Sequence, residues 1–220
     1  MHLKKQIILD FDGTVCKLFE NYSLESVKRE IAATVSKYGI DFSQGNDAFD
    51  IFNVLKSADI EESKRDFLLS KVDTLLTEAE NGAAENCGAI DGFLDFLEWA
   101  KKCGKTVSFA SNNSESCIKA YLARHKVTGD IKIVGRIGTH PELMKPNPYV
   151  LEKACEMLGC KSSDAVFIGD HPRDYECAKS FNTSFIGMVP TESKRSRMEA
   201  YAKTIPLAND FYDLAKLLSK

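Results

Sequence analysis

The amino-acid sequence predicts an α/β protein with a parallel sheet covered by helices on both faces. Short apolar runs without polar alternation recur along the chain, as expected of parallel strands buried on both faces. Helical patterns with clear boundary chemistry lie between the later runs, and strands alternating with helices imply parallel pairing. One stretch, 16–87, breaks the alternation and reads as a helical insertion into that core.

The first strand is QIILDF at 6–11. The two lysines and short apolar run of MHLKKQIIL resemble the start of a secretory leader. Asp10 and Asp12 end that run at once and no small-residue cleavage pattern follows, so the segment reads as a strand. The insertion has no convincing strand and no proline; it predicts consecutive helices over 24–38, 47–57 and 61–80. In the last of these Phe67, Leu68, Val72, Leu75, Leu76 and Ala79 recur at helical spacing, a stripe for packing within a small bundle. The expected division is therefore 1–15 with 88–220 for the α/β core, and 16–87 for the helical unit.

Further along, Asp91 is placed to cap FLDFLEWAKKC, which Gly104 stops before the second strand, TVSFAS at 106–111. Ser114 caps ESCIKAYLARH, and IKIV at 131–134 is the third strand. Asn147 and Pro148 open YVLEKACEML, which Gly159 ends; AVFIG at 165–169 and SFIGMV at 184–189 are the fourth and fifth strands. Asn209 or Asp210 opens the last helix, FYDLAKLLSK. Polar N-caps and a terminal glycine satisfy the backbone groups a helix leaves unpaired at its ends.

Bulk composition narrows the function classes. The 220 residues suit one α/β domain with a modest insertion, and 44% hydrophobic with 28% charged residues is the balance of a globular protein with a proper core. Lys and Arg number 29 against 32 Asp and Glu, so the basic excess of a nucleic-acid binder is missing. No apolar run approaches the roughly 20 residues of a membrane helix. The 7 cysteines include no C-x-x-C pair, which argues against a disulfide framework and a zinc site and for reduced thiols in a cytoplasmic protein. The expected partner is a small molecule, with neither nucleic acid nor membrane, acting on a monomer or weak homodimer.

Several polar residues stand at strand C-termini, where open α/β sheets bind their ligands. Asp10 and Asp12 follow the first strand, Ser111 ends the second, and Asp170 follows the fourth. Asp174 lies four residues beyond Asp170, which puts both carboxylates on one side if a helix begins there. Lys145, in MKPNP, precedes a helix start and makes a good anion site with its free N–H groups. Phosphoryl transfer needs such a set: a nucleophile, a divalent cation, and positive groups around the phosphoryl oxygens. Asp10 is a candidate nucleophile and Asp12 a candidate proton carrier. Asp10 and Asp170 could share Mg²⁺, which prefers a few carboxylate oxygens. Ser111 and Lys145 would grip the phosphoryl group.

Each residue alone has an ordinary reading. Asp12–Gly13 is a common turn pair, Asp170 and Asp174 are typical helix-start acids, and most lysines are solvated. It is the joint arrangement that favours chemistry. Gly135 and Gly138 lack the strand–G-x-G-x-x-G–helix context of a nucleotide site. His171 reads as a lining or exposed histidine, and KRSR at 194–197 as a solvated helix face.

Four segments in order carry a family resemblance: DFDGT at 10–14, SFASNN containing Ser111, KPNP containing Lys145, and GDHPRD at 169–174. Together they resemble the haloacid-dehalogenase superfamily, in its phosphatase branch with a helical cap between the first and second motifs. The resemblance implies a doubly wound, Rossmann-like sheet of order 5-4-1-2-3, with the insertion as a cap that closes over the site. It implies Asp10 as nucleophile and Asp12 as acid/base, with Ser111, Asn112 and Lys145 binding phosphate. Mg²⁺ would be held by Asp10, Asp170 and the main-chain carbonyl of Asp12, with Asp174 supporting through water. True dehalogenases lack the second aspartate of the first motif, since a halide needs no proton; Asp12 therefore favours phosphoryl chemistry. The expected activity is Mg²⁺-dependent hydrolysis of a small phosphorylated metabolite through an aspartyl-phosphate. A phosphotransferase or mutase, or a non-catalytic binding protein of the same fold, is the alternative. Lys17, Asn21 and Tyr22 are candidates for the entrance that selects substrate.

Overall fold

A computed structural model describes residues 5–43 and 47–219. Residues 1–4 of the expected core and Lys220 of the last expected helix lie outside the described residues. In chain order the elements are β1 (Gln6–Leu9), α1 (Glu25–Ser36), α2 (Ile51–Ser57), α3 (Glu62–Ala84), α4 (Phe93–Lys102), β2 (Thr106–Ala110), α5 (Glu115–Arg124), β3 (Ile133–Val134), α6 (Tyr149–Leu158), β4 (Ala165–Gly169), α7 (Pro172–Ser180), β5 (Ser184–Met188), α8 (Glu192–Tyr201), β6 (Leu207–Ala208) and α9 (Phe211–Leu218).

Among the described residues the six named strands pair in parallel, in the order β3-β2-β1-β4-β5-β6. This is the order the resemblance implied, with one added edge strand. β6 is two residues long and pairs with the end of β5; so short a strand leaves no periodic signal in the sequence.

The sheet sorts its side chains by the two-residue period of extended chain. Ile7 and Leu9 of β1, with Val107, Phe109, Val166 and Ile168, pack on one face against apolar residues of α4, α5 and α9. Ile8, Ala110 and Phe167 pack on the other against α6, α7 and Met198 of α8. Each fully buried Leu, Ile or Phe there contributes about 1.5–3 kcal/mol of transfer free energy. A third cluster lies among α1, α2 and α3, around Ile31, Val35, Phe52, Leu68, Val72 and Leu76. The two connections to that helical segment run side by side: the Lys17 N–H donates to the Gly88 carbonyl and the Ile90 N–H to that of Val15.

α3 runs past its expected end because Ala83 and Ala84, good helix formers, bury in the sheet's own cluster with Cys87. Phe67 leaves the expected buried stripe; it is 47% exposed and stacks on Tyr38 with ring centroids 6.0 Å apart. Asp91 does not cap α4. Left-handed Gly92, at φ 80°, occupies the cap position instead, and the Asp91 carbonyl accepts from the N–H of Phe211. Ser114 and Asp210 do cap, accepting from the N–H groups of Cys117 and Asp213.

Register carries the candidate residues to one edge. Leu9 stands opposite Phe109 of β2 and Ile168 of β4, so the residues after all three strands emerge at nearly the same level. The Asp10 N–H continues the ladder to the Ile168 carbonyl at 2.8 Å, and that of Ser111 to Val134 at 3.0 Å.

Candidate active site

Five of the expected residues meet at the C-terminal edge of the sheet. The ammonium of Lys145 lies 2.5 Å from Asp10 Oδ1 and 2.6 Å from Asp174 Oδ1. Ser111 Oγ donates to the same Asp10 Oδ1 at 2.9 Å. Thr14 Oγ1 lies 3.3 Å from Asp10 Oδ2 and 3.4 Å from Asp170 Oδ1, joining the two strand ends. Asp10, Ser111, Lys145, Asp170 and Asp174 are all buried.

Local structure explains each position. Gly13 turns the chain after β1 with φ at 85°, and any Cβ there would stand 2.6 Å from Asp170 Oδ2. Asn112 holds the Lys145 segment by its backbone: its Oδ1 accepts the Lys145 N–H at 2.8 Å and its Nδ2 donates to the Lys145 carbonyl at 3.3 Å. Asp174 reaches its place by a capping box rather than by one helical face shared with Asp170. α7 starts at Pro172, after Asp170, with His171 as its cap. The Asp174 Oδ2 turns back to accept the N–H groups of Asp170 and His171 at 3.1 and 3.0 Å.

Asp12 lines the same cavity, and its Oδ1 accepts the Leu18 N–H at 2.9 Å. Burial pushes its carboxyl up to about 7, with the Asp170 and Asp10 carboxylates adding to the rise. Burial likewise raises Asp170, against the ammonium of Lys194. Asp174 goes up to about 7 for the same reason, against the pull of Lys145. Burial alone would lower Lys145; the carboxylates of Asp10 and Asp174 override it and hold the ammonium charged. Burial and the nearby Arg197 and Arg173 push His171 down to about 4, leaving a neutral ring whose Nδ1 accepts the Arg173 N–H.

Carboxylate oxygens of Asp10, Asp170 and Asp174 lie within 4.8 Å of one another, which suits a hard divalent cation. Both Asp174 oxygens are already engaged, by Lys145 and by two backbone N–H groups, whereas Asp10 Oδ2 and the Asp170 carboxylate turn toward each other across Thr14. Lys194 Nζ sits 2.7 Å from Asp170 Oδ2 and 2.8 Å from the Gly13 carbonyl, so a positive charge already finds an oxygen cradle here.

Lys194 and Arg197 correct the reading of KRSR as a solvated face. Arg197 Nη2 donates to the Asp170 carbonyl at 3.3 Å, and both side chains line the cavity. Their spacing of three puts them on one side of a helix, a signal present in the sequence but without a partner until β4 and α8 are brought together. The cavity is about 990 Å³, and the helical segment supplies part of its wall, including Phe19, Lys28, Phe49, Phe52 and Lys56. Lys17, Asn21 and Tyr22 are not among the lining residues. Lys17 is exposed and pairs with Glu20, while Tyr22 packs under α3, beside Gly82.

The comparisons with known proteins agree with this architecture. A family model described as haloacid dehalogenase-like hydrolase matches residues 7–188. A pyrophosphatase, PpaX, of Bacillus cereus is 25% identical over 178 residues, 80% of this chain and 76% of that protein. A phosphoglycolate phosphatase of Pseudomonas putida is 26% identical over 98 residues, 44% of this chain and 36% of that protein. The crystal structure of a predicted phosphatase from Clostridium acetobutylicum superposes with a TM-score of 0.69 at 19% identity, covering 99% of both chains. At such identity the superposition establishes the fold alone.

Proposed function

Since the chain belongs to the haloacid dehalogenase-like hydrolases, we propose that it is a Mg²⁺-dependent phosphatase of small phosphorylated metabolites, with Asp10 as nucleophile. The observation that carries this reading is the convergence of Ser111 and Lys145 on a single oxygen of Asp10. A hydroxyl and an ammonium keep the buried carboxylate paired, as a charge away from water must be. They make sense as the two groups that receive phosphoryl oxygens when the carboxylate attacks phosphorus.

In this reading Asp10 forms the P–O bond as the P–O(ester) bond breaks, and Asp12 gives its proton to the departing oxygen. Asp12 then takes a proton from water as water attacks the aspartyl-phosphate, which frees phosphate and restores both carboxyls. Asp10, Asp170 and the Asp12 carbonyl would hold Mg²⁺, with Asp174 orienting the set from behind; when bound, the ion neutralises charge on the phosphoryl oxygens. Lys145 and Ser111 hold the transferring group in line, and Asn112 fixes the main chain under Lys145. The helical segment, as a cap over residues 16–87, limits water and selects the leaving group. Release of inorganic phosphate from p-nitrophenyl phosphate, with and without MgCl₂, tests the reading. No release in either condition would refute it, and transfer to a second substrate without free phosphate would replace hydrolysis by phosphotransfer. A panel including pyrophosphate and phosphoglycolate, after the relatives' names, addresses the substrate.

Two further outcomes follow from the site. Asp12→Ala should lower kcat by about 10²–10⁴-fold, slowing both formation and breakdown of the intermediate. The wild type should show a matching pH profile. The protonated fraction of Asp12 falls as pH rises through about 7, so hydrolysis of alkyl phosphates, whose leaving group needs that proton, falls too. Aryl phosphates, with good leaving groups, should be much less affected. Parallel profiles for both ester classes would remove Asp12 from the acid role.

Lys194→Met should tighten Mg²⁺ binding about tenfold, since Lys194 Nζ occupies Asp170 Oδ2 and repels a second cation nearby. The Mg²⁺ concentration that half-saturates thermal protection of the protein reads this without turnover. Weaker protection in the variant would show that Lys194 supports the ion rather than opposing it.

A further inference from the structure

Away from the carboxylates at the sheet edge lies a second buried charge cluster that the proposed chemistry does not use. Glu80, near the end of α3, and Arg136, just after β3, both have side chains with 0% exposure. Every N–H of the guanidinium has an acceptor. Nε donates to Asp73 Oδ1 at 2.7 Å; Nη1 donates to Glu80 Oε1 at 2.7 Å and to the Asn112 carbonyl at 2.9 Å. Nη2 donates to Thr77 Oγ1 at 3.2 Å and to Glu80 Oε2 at 3.3 Å. Burial works against that cation, and the carboxylates of Glu80 and Asp73 keep it charged.

Glu80 has two more donors, and both come from the loop that carries Ser111. Asn113 Nδ2 donates to Oε1 at 3.1 Å, and the Ser114 N–H to Oε2 at 2.9 Å. The first of these fixes the amide of Asn113. With its NH₂ given to a carboxylate, only its Oδ1 remains to face Ser111, and Ser111 Oγ donates to it at 3.0 Å. The same hydroxyl lies 2.9 Å from Asp10 Oδ1. Its one hydrogen serves one of these two acceptors at a time, and the Asn113 N–H donates to the oxygen at 3.2 Å, so Asn113 fixes where the Ser111 oxygen sits beside the nucleophile. The backbone reinforces the arrangement: the Arg136 N–H donates to the Asn113 carbonyl at 2.9 Å, and a Cβ on Gly135 would meet the Glu115 nitrogen at 2.5 Å.

An apolar set of similar volume would stabilise such a buried position at least as well as an ion pair, whereas a fully satisfied polar network fixes a single geometry. We propose that Glu80 and Arg136 are positioning residues: they lock α3 to the 111–114 loop and, through Asn113, set the hydroxyl of Ser111 against the nucleophile. The inference rests on the phosphatase reading for its kinetic consequence, not for its geometry. It makes the last turns of α3, a helix of the inserted segment, part of the machinery that orients the phosphate grip. Phe49 and Phe52, which line the cavity, sit with their ring centroids 5.5 Å from the Arg136 guanidinium, so the same cation also steadies the cavity wall.

Glu80→Gln is the direct test. Its NH₂ must face donors on one side or the other, which disfavours the native orientation of Asn113. The expected result is a kcat about 10–100-fold lower on p-nitrophenyl phosphate, with KM within about threefold of wild type and full folding by circular dichroism. Asn113→Ala removes the middle link without leaving a buried charge unpaired and should show the same split; it decides the matter if Glu80→Gln does not fold. A kcat within about twofold of wild type in a folded variant, or a loss that only tracks the folded fraction, would overturn the proposal. The side-chain ¹⁵N–¹H₂ signals of Asn113 supply a readout free of turnover. They should exchange slowly in wild type and shift in Glu80→Gln. Should wild type release no phosphate, the phosphatase reading fails, and these signals still judge the positioning: a shift supports it, and unchanged signals sink it.

Discussion

Replacing Asp10 by Asn is expected to abolish turnover, by roughly 10⁴-fold or more, while leaving the fold intact. The amide keeps the shape of the carboxylate, and its oxygen can still accept from Ser111 and Lys145, which converge on Oδ1 in the native site. What it loses is the negative charge and nucleophilicity that the P–O bond requires. Three buried acids crowd this edge of the sheet, so removal of one charge also relieves repulsion, and thermal stability should hold or rise. The measurement pairs phosphate release with a thermal melt. Near-normal Mg²⁺-dependent release by a folded Asp10→Asn protein would defeat the assignment of the nucleophile, whatever the fate of the rest.

Lys145→Met should produce the other large effect, and it should show in stability as well as rate. Lys145 is the shared cation of Asp10 and Asp174, and it also lies 5.4 Å from the centroid of the Phe167 ring. Removing one partner of a buried pair costs about 3–5 kcal/mol, because the remaining charges are left without compensation. Turnover should fall by about 10²–10³-fold as the developing charge loses its donor. The stability cost should depend on pH in a definite direction. Asp174 in the folded chain titrates at about 7, against an ordinary 3.8, and loss of the ammonium raises it further. Between those values the folded chain keeps a proton that the unfolded chain has released, so stability falls as pH rises across that window. The gap between variant and wild type, read as urea midpoints, should therefore be smaller at pH 5 than at pH 8. A gap of equal size at both would mean that Lys145 acts by packing rather than by charge.

Much of this architecture was legible because the core follows simple periodicities. Apolar strands buried on both faces and punctuated helices predicted the sheet, and the family resemblance carried by four ordered motifs implied its strand order. They also pointed to Asp10, Ser111, Lys145, Asp170 and Asp174, which the fold brings within hydrogen-bonding reach of one another through Thr14 and Lys145. What escaped was decided by contacts between distant segments. Lys194 looks like any surface lysine until α8 packs beside the turn at Gly13. Glu80 is one acid in a polar-rich helix until Arg136, far along the chain, arrives to pair with it. Phe67 fits the apolar stripe of α3 by spacing, yet faces outward to Tyr38. Gly92, rather than Asp91, starts α4 because the chain reaches that helix through a left-handed turn, a choice that cap statistics alone do not settle.

The two adjacent connecting segments at Val15–Lys17 and Gly88–Ile90 give the fold a form of modular tolerance. To the sheet, the whole excursion between Lys17 and Gly88 is one loop whose mouth is stitched shut by two main-chain hydrogen bonds. Closing a loop costs free energy that grows only with the logarithm of its length, so the sheet pays almost the same for a short excursion as for a long one. Such a junction leaves the length of the excursion free to vary while the residues on the strand tips stay where they are, provided that the Leu18 N–H stays on Asp12 and the final turns of α3 remain rooted beside Ser111.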